Sequence, residues 1–463
     1  MSLDISAEEF QHLAERIAHL AADHLLRLDG SPIQPDVTGA RLVELLGGEA
    51  PQRGCGARVV DLLRGVVEGS RVQNGRFLGY VMGSGEPAGA AADLLASVLN
   101  QNLTAWRSAP AGVTVERTVV SWLAEAIGCG AFSGSLTGGG SSANLMGLAM
   151  AREARAPANE RGGGAAGVVY ASEQAHMSIG KAVALLGLGR ENLRLLSTDA
   201  SFRMRAGDLE AAIARDRAAG LTPIAVVASA GTVATGAIDP LAAIADIAER
   251  ERLWLHVDGA YGALAAMVVP EAFQGLARAD SISLDAHKWL YQAVDCGCLL
   301  FKDRQAAHRT FSHTGDYTRS FTDDPVEGFA FFEESLELSR RFRALRLWTS
   351  IHYHGMEAFR EALRRDLSHA RALGDRVRGE PALELLAPIE LSAVCFRHRF
   401  PEAADARNMA LLAAVNRRGR VYLSNATIRG AFALRACFVN HRTTSADVHA
   451  VVEEVLAAAR EST

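Results

Sequence analysis

The sequence has little from which to build a disulfide framework. Its six cysteines (Cys55, Cys129, Cys296, Cys298, Cys395 and Cys437) are scattered over 463 residues, a density that suits a reducing compartment. Cys296 and Cys298 form a C-x-C within an apolar run and share one face if that run is a strand. No further ligands follow at metal-binding spacing, so they read as small buried hydrophobes. Apolar runs long enough to span a bilayer are absent, which argues against a membrane protein. The net charge of -5 leaves no basic footprint for nucleic acid. The opening stretch "MSLDISAEEFQHLAERIAHLAADHLL" mixes acids, bases and histidines at helical spacing, unlike a signal peptide. What remains is an ordinary globular balance, 49% hydrophobic and 22% charged, in a chain too long for one small core. The expectation is a cytoplasmic protein with one large domain, one smaller domain and packed tails.

Residues 1–75 read as helices, with Leu13, Ile17, Leu20 and Leu25 on one stripe and Pro32 and Pro35 breaking it. That is more apolar surface than an isolated arm can hide, so it packs on another domain or another subunit. Helical stretches follow at 88–100 and 115–127. Short apolar runs then recur: "GVVYAS" at 167–172, "LRLLS" at 193–197, "IAVVAS" at 224–229, "LWLHVD" at 253–258, "SISLD" at 281–285 and "CGCLLF" at 296–301. Alanine-rich helical segments separate most of them. This predicts an α/β fold whose mostly parallel sheet is covered on both faces, with ligands at the carboxyl ends of its strands. The glycine-rich stretch 161–167 reads as a surface loop. Residues 302–333 show no clean period and are long for a connection, as functional or mobile loops are. After about residue 341, a long helix, short strands and a terminal helix predict a smaller α+β domain.

Several residues gather at the predicted strand ends. "SLTGGGSSANLMG" leads a glycine cluster through Gly140, Ser141 and Ser142 into a helix. This is an anion site by backbone amides and dipole, or merely a capped helix start. Neither the Walker spacing nor the dinucleotide G-x-G-x-x-G is met. Asp258 closes the strand of "LWLHVDGAYGA", where a buried carboxylate needs a partner such as a protonated ring nitrogen, or else caps a turn. His176 lies just past a strand and before a helix, a common place for a capping histidine. Lys288, in "SLDAHKWLYQ" at the mouth of the sheet, is either an ordinary surface lysine just past a strand end or a partly desolvated amine, nucleophilic and able to form a Schiff base.

Taken in order, phosphate loop, histidine, strand-end aspartate and a His-Lys pair about thirty residues later, this pattern resembles the pyridoxal 5'-phosphate (PLP) enzymes of fold type I. More narrowly it resembles the group II amino-acid decarboxylases. The likeness covers nearly the whole chain, including "NQNLTAWRSAPAGVTVERTVVSWL" and "SRRFRALRLW". It implies a large PLP-binding domain (81–345) with a mobile loop at about 311–330, a small C-terminal domain (346–463) and an N-terminal helical segment (1–80) packed on the partner of a homodimer. By the same resemblance, Lys288 holds the cofactor aldehyde as a Schiff base and Asp258 pairs with the pyridinium nitrogen, so that the ring is an electron sink. His176 stacks on one ring face and Ala260 packs on the other. Gly140, Ser141 and His287 hold the phosphate, and Thr232 lies beside the cofactor. Two positions depart from relatives: Val233 replaces a second threonine, and Asp285 stands where several have asparagine and repels the phosphate unless protonated or turned away.

In such enzymes the loop after the lysine strand carries a tyrosine that reprotonates the substrate carbon, and Tyr317 matches it. Related aldehyde synthases typically have phenylalanine there, so Tyr317 implies simple decarboxylation to an amine. The substrate pocket is implied to draw on "RFLGYVMGSG" and "NLTAWRSAP" from both subunits, with Phe77, Tyr80, Val81 and Trp106 as walls. Such walls suit an aromatic L-amino acid. Ala105 replaces a second phenylalanine and leaves room for a bulky ring. Arg107 either pairs elsewhere or meets the distal carboxylate of a glutamate-type substrate. No nucleic-acid or membrane partner is expected.

Overall fold

The computed structural model describes residues 3–160, 162, 167–313, 322 and 324–461. Seven strands, β1 (Ser133–Thr137), β2 (Gly167–Ser172), β3 (Leu193–Leu196), β4 (Thr222–Ser229), β5 (Trp254–Asp258), β6 (Ser281–Asp285) and β7 (Gly297–Phe301), form one sheet in the order β1-β7-β6-β5-β4-β2-β3. Neighbours from β6 through β3 are parallel. Strand β7 runs antiparallel to both β6 and β1. The reason is local: residues 286–296 join β6 to β7 without a helix, and a parallel return would need a longer crossover. All of β2, β5, β6 and β7 is buried, which explains their nearly unbroken apolar runs.

A second sheet, wholly antiparallel, comprises β8 (Leu383–Leu385), β9 (Ala393–His398), β10 (Ser424–Ile428) and β11 (Ala431–Cys437) in the order β10-β11-β9-β8. The helix Met356–Gly379 belongs to both cores. Phe359, Ala362, Leu363 and Leu367 pack with the large sheet, while Ala370, Leu373 and Val377 pack with the small one. The N-terminal helices are Ala7–Arg27, Gly39–Leu46 and Val59–Glu68, and the first two bury none of their residues. Among the described residues no helix is long and apolar enough to cross a membrane, and no cluster of His, Cys, Asp or Glu is placed to hold a metal ion.

Several expectations need adjusting. The single long helix expected after residue 341 is two, Ala344–His354 and Met356–Gly379, because Gly355 adopts φ 76° between them. The helix expected from 115 begins at Pro110, where proline's fixed φ suits the first helical position. Strand β1 was hidden in a glycine- and serine-rich stretch of weak strand preference. Part of the segment without a clean period, Arg304–Phe311, is a helix capped by Asp303. Of the glycine-rich stretch, residues 161 and 163–166 lie outside the described residues.

Candidate active site

The carboxyl ends of β4, β5 and β6 open onto one cavity of about 250 Å³. Its lining brings together Gly140, Ser141, His176, Thr232, Asp258, Ala260, Asp285, His287 and Lys288, nine residues singled out from the sequence. Neighbouring strands place them: Asp258 at the end of β5 stands beside Ser283 of β6 and Ser229 of β4.

Asp258 is 8% exposed, and its carboxylate accepts three hydrogen bonds. They come from Asn144 Nδ2 at 3.0 Å, Ser283 Oγ at 3.1 Å and the Ala260 amide at 3.2 Å. Such bonds offset the loss of water around a buried charge. The Ala260 bond is the turn cap that a strand-end aspartate makes.

His176 caps the helix Met177–Leu185. Its Nδ1 accepts from the Ser178 amide at 3.3 Å and lies 2.8 Å from Ser178 Oγ. Burial lowers its pKa, with Asp258 pulling the other way, so the neutral imidazole is favoured. His287 is held alike: the Cys296 amide donates to Nδ1 at 3.2 Å, and burial again lowers the pKa. In each neutral ring a bare Nδ1 puts the proton on Nε2.

Lys288 lies in the turn between β6 and β7. Its Nζ is 3.0 Å from Asp285 Oδ2, and His287 Nε2 is 3.6 Å from the same oxygen. The turn is gripped from several sides. The Gly83 amide donates to the His287 carbonyl, and the Glu86 amide to that of Tyr291. Tyr291 Oη donates to Asp366, and Arg346 reaches the carbonyls of Ala293 and Asp295. An amine on so fixed a turn is preorganised.

The anion cradle begins at Gly139, whose φ of 131° favours glycine, and continues into the helix Gly140–Arg155. A Cβ on Gly140 would stand 2.7 Å from Ala260 Cβ and 3.0 Å from Asp285 Oδ2, so only glycine leaves this approach open. A helix start, the Ser141 hydroxyl and His287 suit a phosphate. Asp285 is the exception. Its Oδ2 is committed to Lys288, and its Oδ1 is buried with no hydrogen-bond partner. Lys288 offsets the charge of this acid, which also borders the cradle at Gly140, and the set as a whole fits PLP: a lysine for the aldehyde, a buried carboxylate for the ring nitrogen, a cradle for the phosphate. Thr232 is 2% exposed and its hydroxyl is engaged with Thr235 at 2.9 Å, while Val233 and Val294 give the lining apolar character.

Other expected residues do not reach this cavity within one chain. Phe77 is buried and stacks on Tyr422, ring centroids 5.2 Å apart. Tyr80, half exposed at φ 62°, has its hydroxyl 3.1 Å from that of Tyr422. Trp106 is half-buried, its amide bonded to the Phe329 carbonyl, and Arg107 is exposed. Tyr317 lies outside the described residues.

Sequence reasoning missed Asn144, which lines the cavity, and Ser178, His256 and Ser283, which form the layer behind it. A signal existed. His256 and Asp258 are two apart on a strand and share a face, and Asn144 is one helical turn from Gly140.

A family model described as the pyridoxal-dependent decarboxylase conserved domain matches residues 61–399. The aromatic-L-amino-acid decarboxylase of Bacillus atrophaeus is 33% identical over 99% of this chain and 97% of its own. The structure of Oryza sativa TDC with PLP and tryptamine matches with a TM-score of 0.92 at 28% identity, covering 100% of this chain and 99% of the other. That of Rhodiola rosea 4-hydroxyphenylacetaldehyde synthase matches with a TM-score of 0.89 at 29% identity, covering 99% of each. On the length matched and the kinship of these relatives, the chain belongs to the pyridoxal-dependent decarboxylases, enzymes that remove a carboxyl group with the help of PLP.

Proposed function

We propose that this decarboxylase converts an aromatic L-amino acid to its amine in the cytoplasm, as a homodimer whose subunits share their active sites. The observation that carries the choice of substrate is the kinship with relatives named for aromatic substrates. The part of the lining that one chain supplies agrees, since Lys288 is the one lysine or arginine among its described residues.

PLP, when bound, supplies an aldehyde carbon for an amine and a ring that takes up the electrons left as the carboxyl group departs. Lys288 is the amine that holds the aldehyde, and Asp285 orients its Nζ. Asp258 would accept from the ring nitrogen. Gly140, Ser141 and His287 would hold the phosphate, with Ala260 and neutral His176 on the two sides of the ring and His176 Nε2–H toward the substrate carboxylate. Thr232 walls the cavity beside the ring. Tyr317 returns a proton from its hydroxyl to the carbon that loses the carboxyl group.

Tyr80 and Trp106 serve as substrate walls across the subunit boundary, and Phe77, buried against Tyr422, backs Tyr80 with ring centroids 6.3 Å apart. Dimerisation has support in Leu94, Leu95, Val98 and Leu99, an exposed apolar stripe on the helix Pro87–Leu99. Six free cysteines, five of them buried, suit a reducing compartment.

The test is product identification by mass spectrometry after incubation with PLP, in air, with L-tryptophan, L-tyrosine, L-phenylalanine, L-glutamate or L-2,4-diaminobutyrate. Amine from an aromatic substrate is expected, and turnover confined to L-glutamate or L-2,4-diaminobutyrate would overturn the substrate assignment. Aldehyde with peroxide would point to the aldehyde synthase, the second reading, which a relative of that activity favours. The variant Tyr317→Phe should shift product from amine toward aldehyde, and unchanged amine output removes Tyr317 from the proton transfer.

A further inference from the structure

Asp258 and His176 face the cavity from different elements, yet both lead back to one buried side chain. Trp254, His256 and Asp258 alternate along β5 and so point to the same face of the sheet. Ser281 and Ser283 stand beside His256 and Asp258 on β6. The helix Gly140–Arg155 covers this face and brings Asn144 down onto it. Trp254 Nε1 donates to Ser281 Oγ at 2.8 Å, and Ser281 Oγ lies 2.8 Å from His256 Nδ1. His256 Nε2 is 2.9 Å from Asn144 Oδ1. Asn144 Nδ2 then donates twice, to Asp258 Oδ2 at 3.0 Å and to Ser178 Oγ at 2.9 Å. Ser178 Oγ is 2.8 Å from His176 Nδ1.

One arrangement of protons satisfies every link. The amide oxygen of Asn144 only accepts, so His256 Nε2 carries a hydrogen. Burial of the His256 ring lowers its pKa to about 4, so near neutral pH Nδ1 is bare and takes the Ser281 proton. In the other tautomer Nε2 and Oδ1 would meet lone pair to lone pair. Turning the amide to relieve this would bring Oδ1 against Asp258 Oδ2. Gly147 gives the ring its room: a Cβ there would lie 2.5 Å from His256 Nδ1 and 2.6 Å from Cε1. Glycine disfavours a helix interior, so its presence here answers to the imidazole.

We propose that His256 is a positioning residue: its Nε2–H locks the Asn144 amide with both hydrogens outward, and so orients Asp258 and His176 together. This rests on the reading of Asp258 as the partner of the cofactor's ring nitrogen. The chain's polarity then leaves Ser178 to donate to His176 Nδ1, which directs the proton of that ring to Nε2.

The test compares the affinity of the cofactor-free protein for PLP and for its carbocyclic 1-deaza analogue, which lacks the ring nitrogen. Fluorescence titration reads both. The wild type should prefer PLP. In His256→Phe that preference should fall about tenfold, the worth of one charge-assisted hydrogen bond, with affinity for the analogue within about twofold of wild type. His256→Gln, whose amide can donate to Asn144 Oδ1, should recover most of the preference. A merely structural role would weaken both ligands alike. Undiminished preference in a folded His256→Phe overturns the proposal alone, whereas a wild type without preference overturns the reading of Asp258 and the proposal with it. Should His256→Phe not fold, nitrogen-15 spectra of histidine-labelled wild type decide: His256 is expected as the Nε2–H tautomer, and a proton on Nδ1 sinks the proposal.

Discussion

Lys288 is one of only three lysines in the chain, with Lys181 and Lys302, although lysine and arginine together number 48. On the proposed assignment a lysine is needed at 288, because a guanidinium does not form a Schiff base. Borohydride reduction of the PLP-loaded protein, followed by peptide mapping, should therefore place the cofactor on the Lys288 peptide. Label on Lys181 or Lys302 would contradict the assignment. Other single residues bear on acid stability. His441, next to Ser84 Oγ at 2.7 Å, is pushed down to about 4 by burial and by Arg442. An unfolded histidine titrates near 6.5, so the unfolded chain takes the proton first and stability falls as pH drops from 6.5 toward 4. Asp366 and Asp239, raised to about 7 and about 6 by burial, act with the opposite sign because the folded state holds their protons. These opposed terms blunt the pH dependence of the wild type. Denaturant unfolding of His441→Asn should show roughly 2 kcal/mol less loss between pH 7 and pH 5 than wild type. Equal losses in both proteins would remove His441 from the account.

Among the elements, the segment leading into the helix Ala344–His354 does the most to set the site. Arg343 holds Asp295 and Glu337, and Arg346 holds Asp93 and the carbonyls that follow the Lys288 turn. Arg340 is 1% exposed and pairs with Glu116, also 1% exposed. It also donates to the carbonyls of Leu103 and Leu136 and lies 4.0 Å over the Phe331 ring. Breaking a buried pair strands its partner's charge, so Arg340→Met should cost about 3–5 kcal/mol of stability. The double variant with Glu116→Leu should recover a substantial part in denaturant titration. A cost no smaller in the double than in the single variant would show that packing, not charge, dominates there. The motif "SRRFRALRLW" was visible in the sequence, but which carboxylates it meets was not, since Glu116 lies more than two hundred residues away.

At the scale of the whole molecule, the parts left uncovered matter most. Phe10, Ile17, Leu25 and Leu26 on the first helix and the stripe from Leu94 to Leu99 expose apolar area that a lone chain gains nothing from showing. If that area is the dimer contact, Leu95→Asp with Val98→Asp should sediment as a monomer and lose most turnover, because the shared substrate walls separate. A monomeric double variant of undiminished activity would refute shared sites. The α/β order, the covered sheet and the placing of Lys288, Asp258 and His176 at strand ends were legible beforehand. Apolar runs, helical spacing and strand ends are properties of neighbouring residues, and their periods are written along the chain. Only the tertiary structure decided the rest: that β7 runs backwards, that Asp285 pairs with the lysine, and that His256 and Asn144 link Asp258 to the Ser178–His176 pair. Each depends on groups far apart in sequence whose lone pairs and protons must match at about 3 Å. That match has no period to read, and it exists only once the helix Gly140–Arg155 lies across β5 and β6.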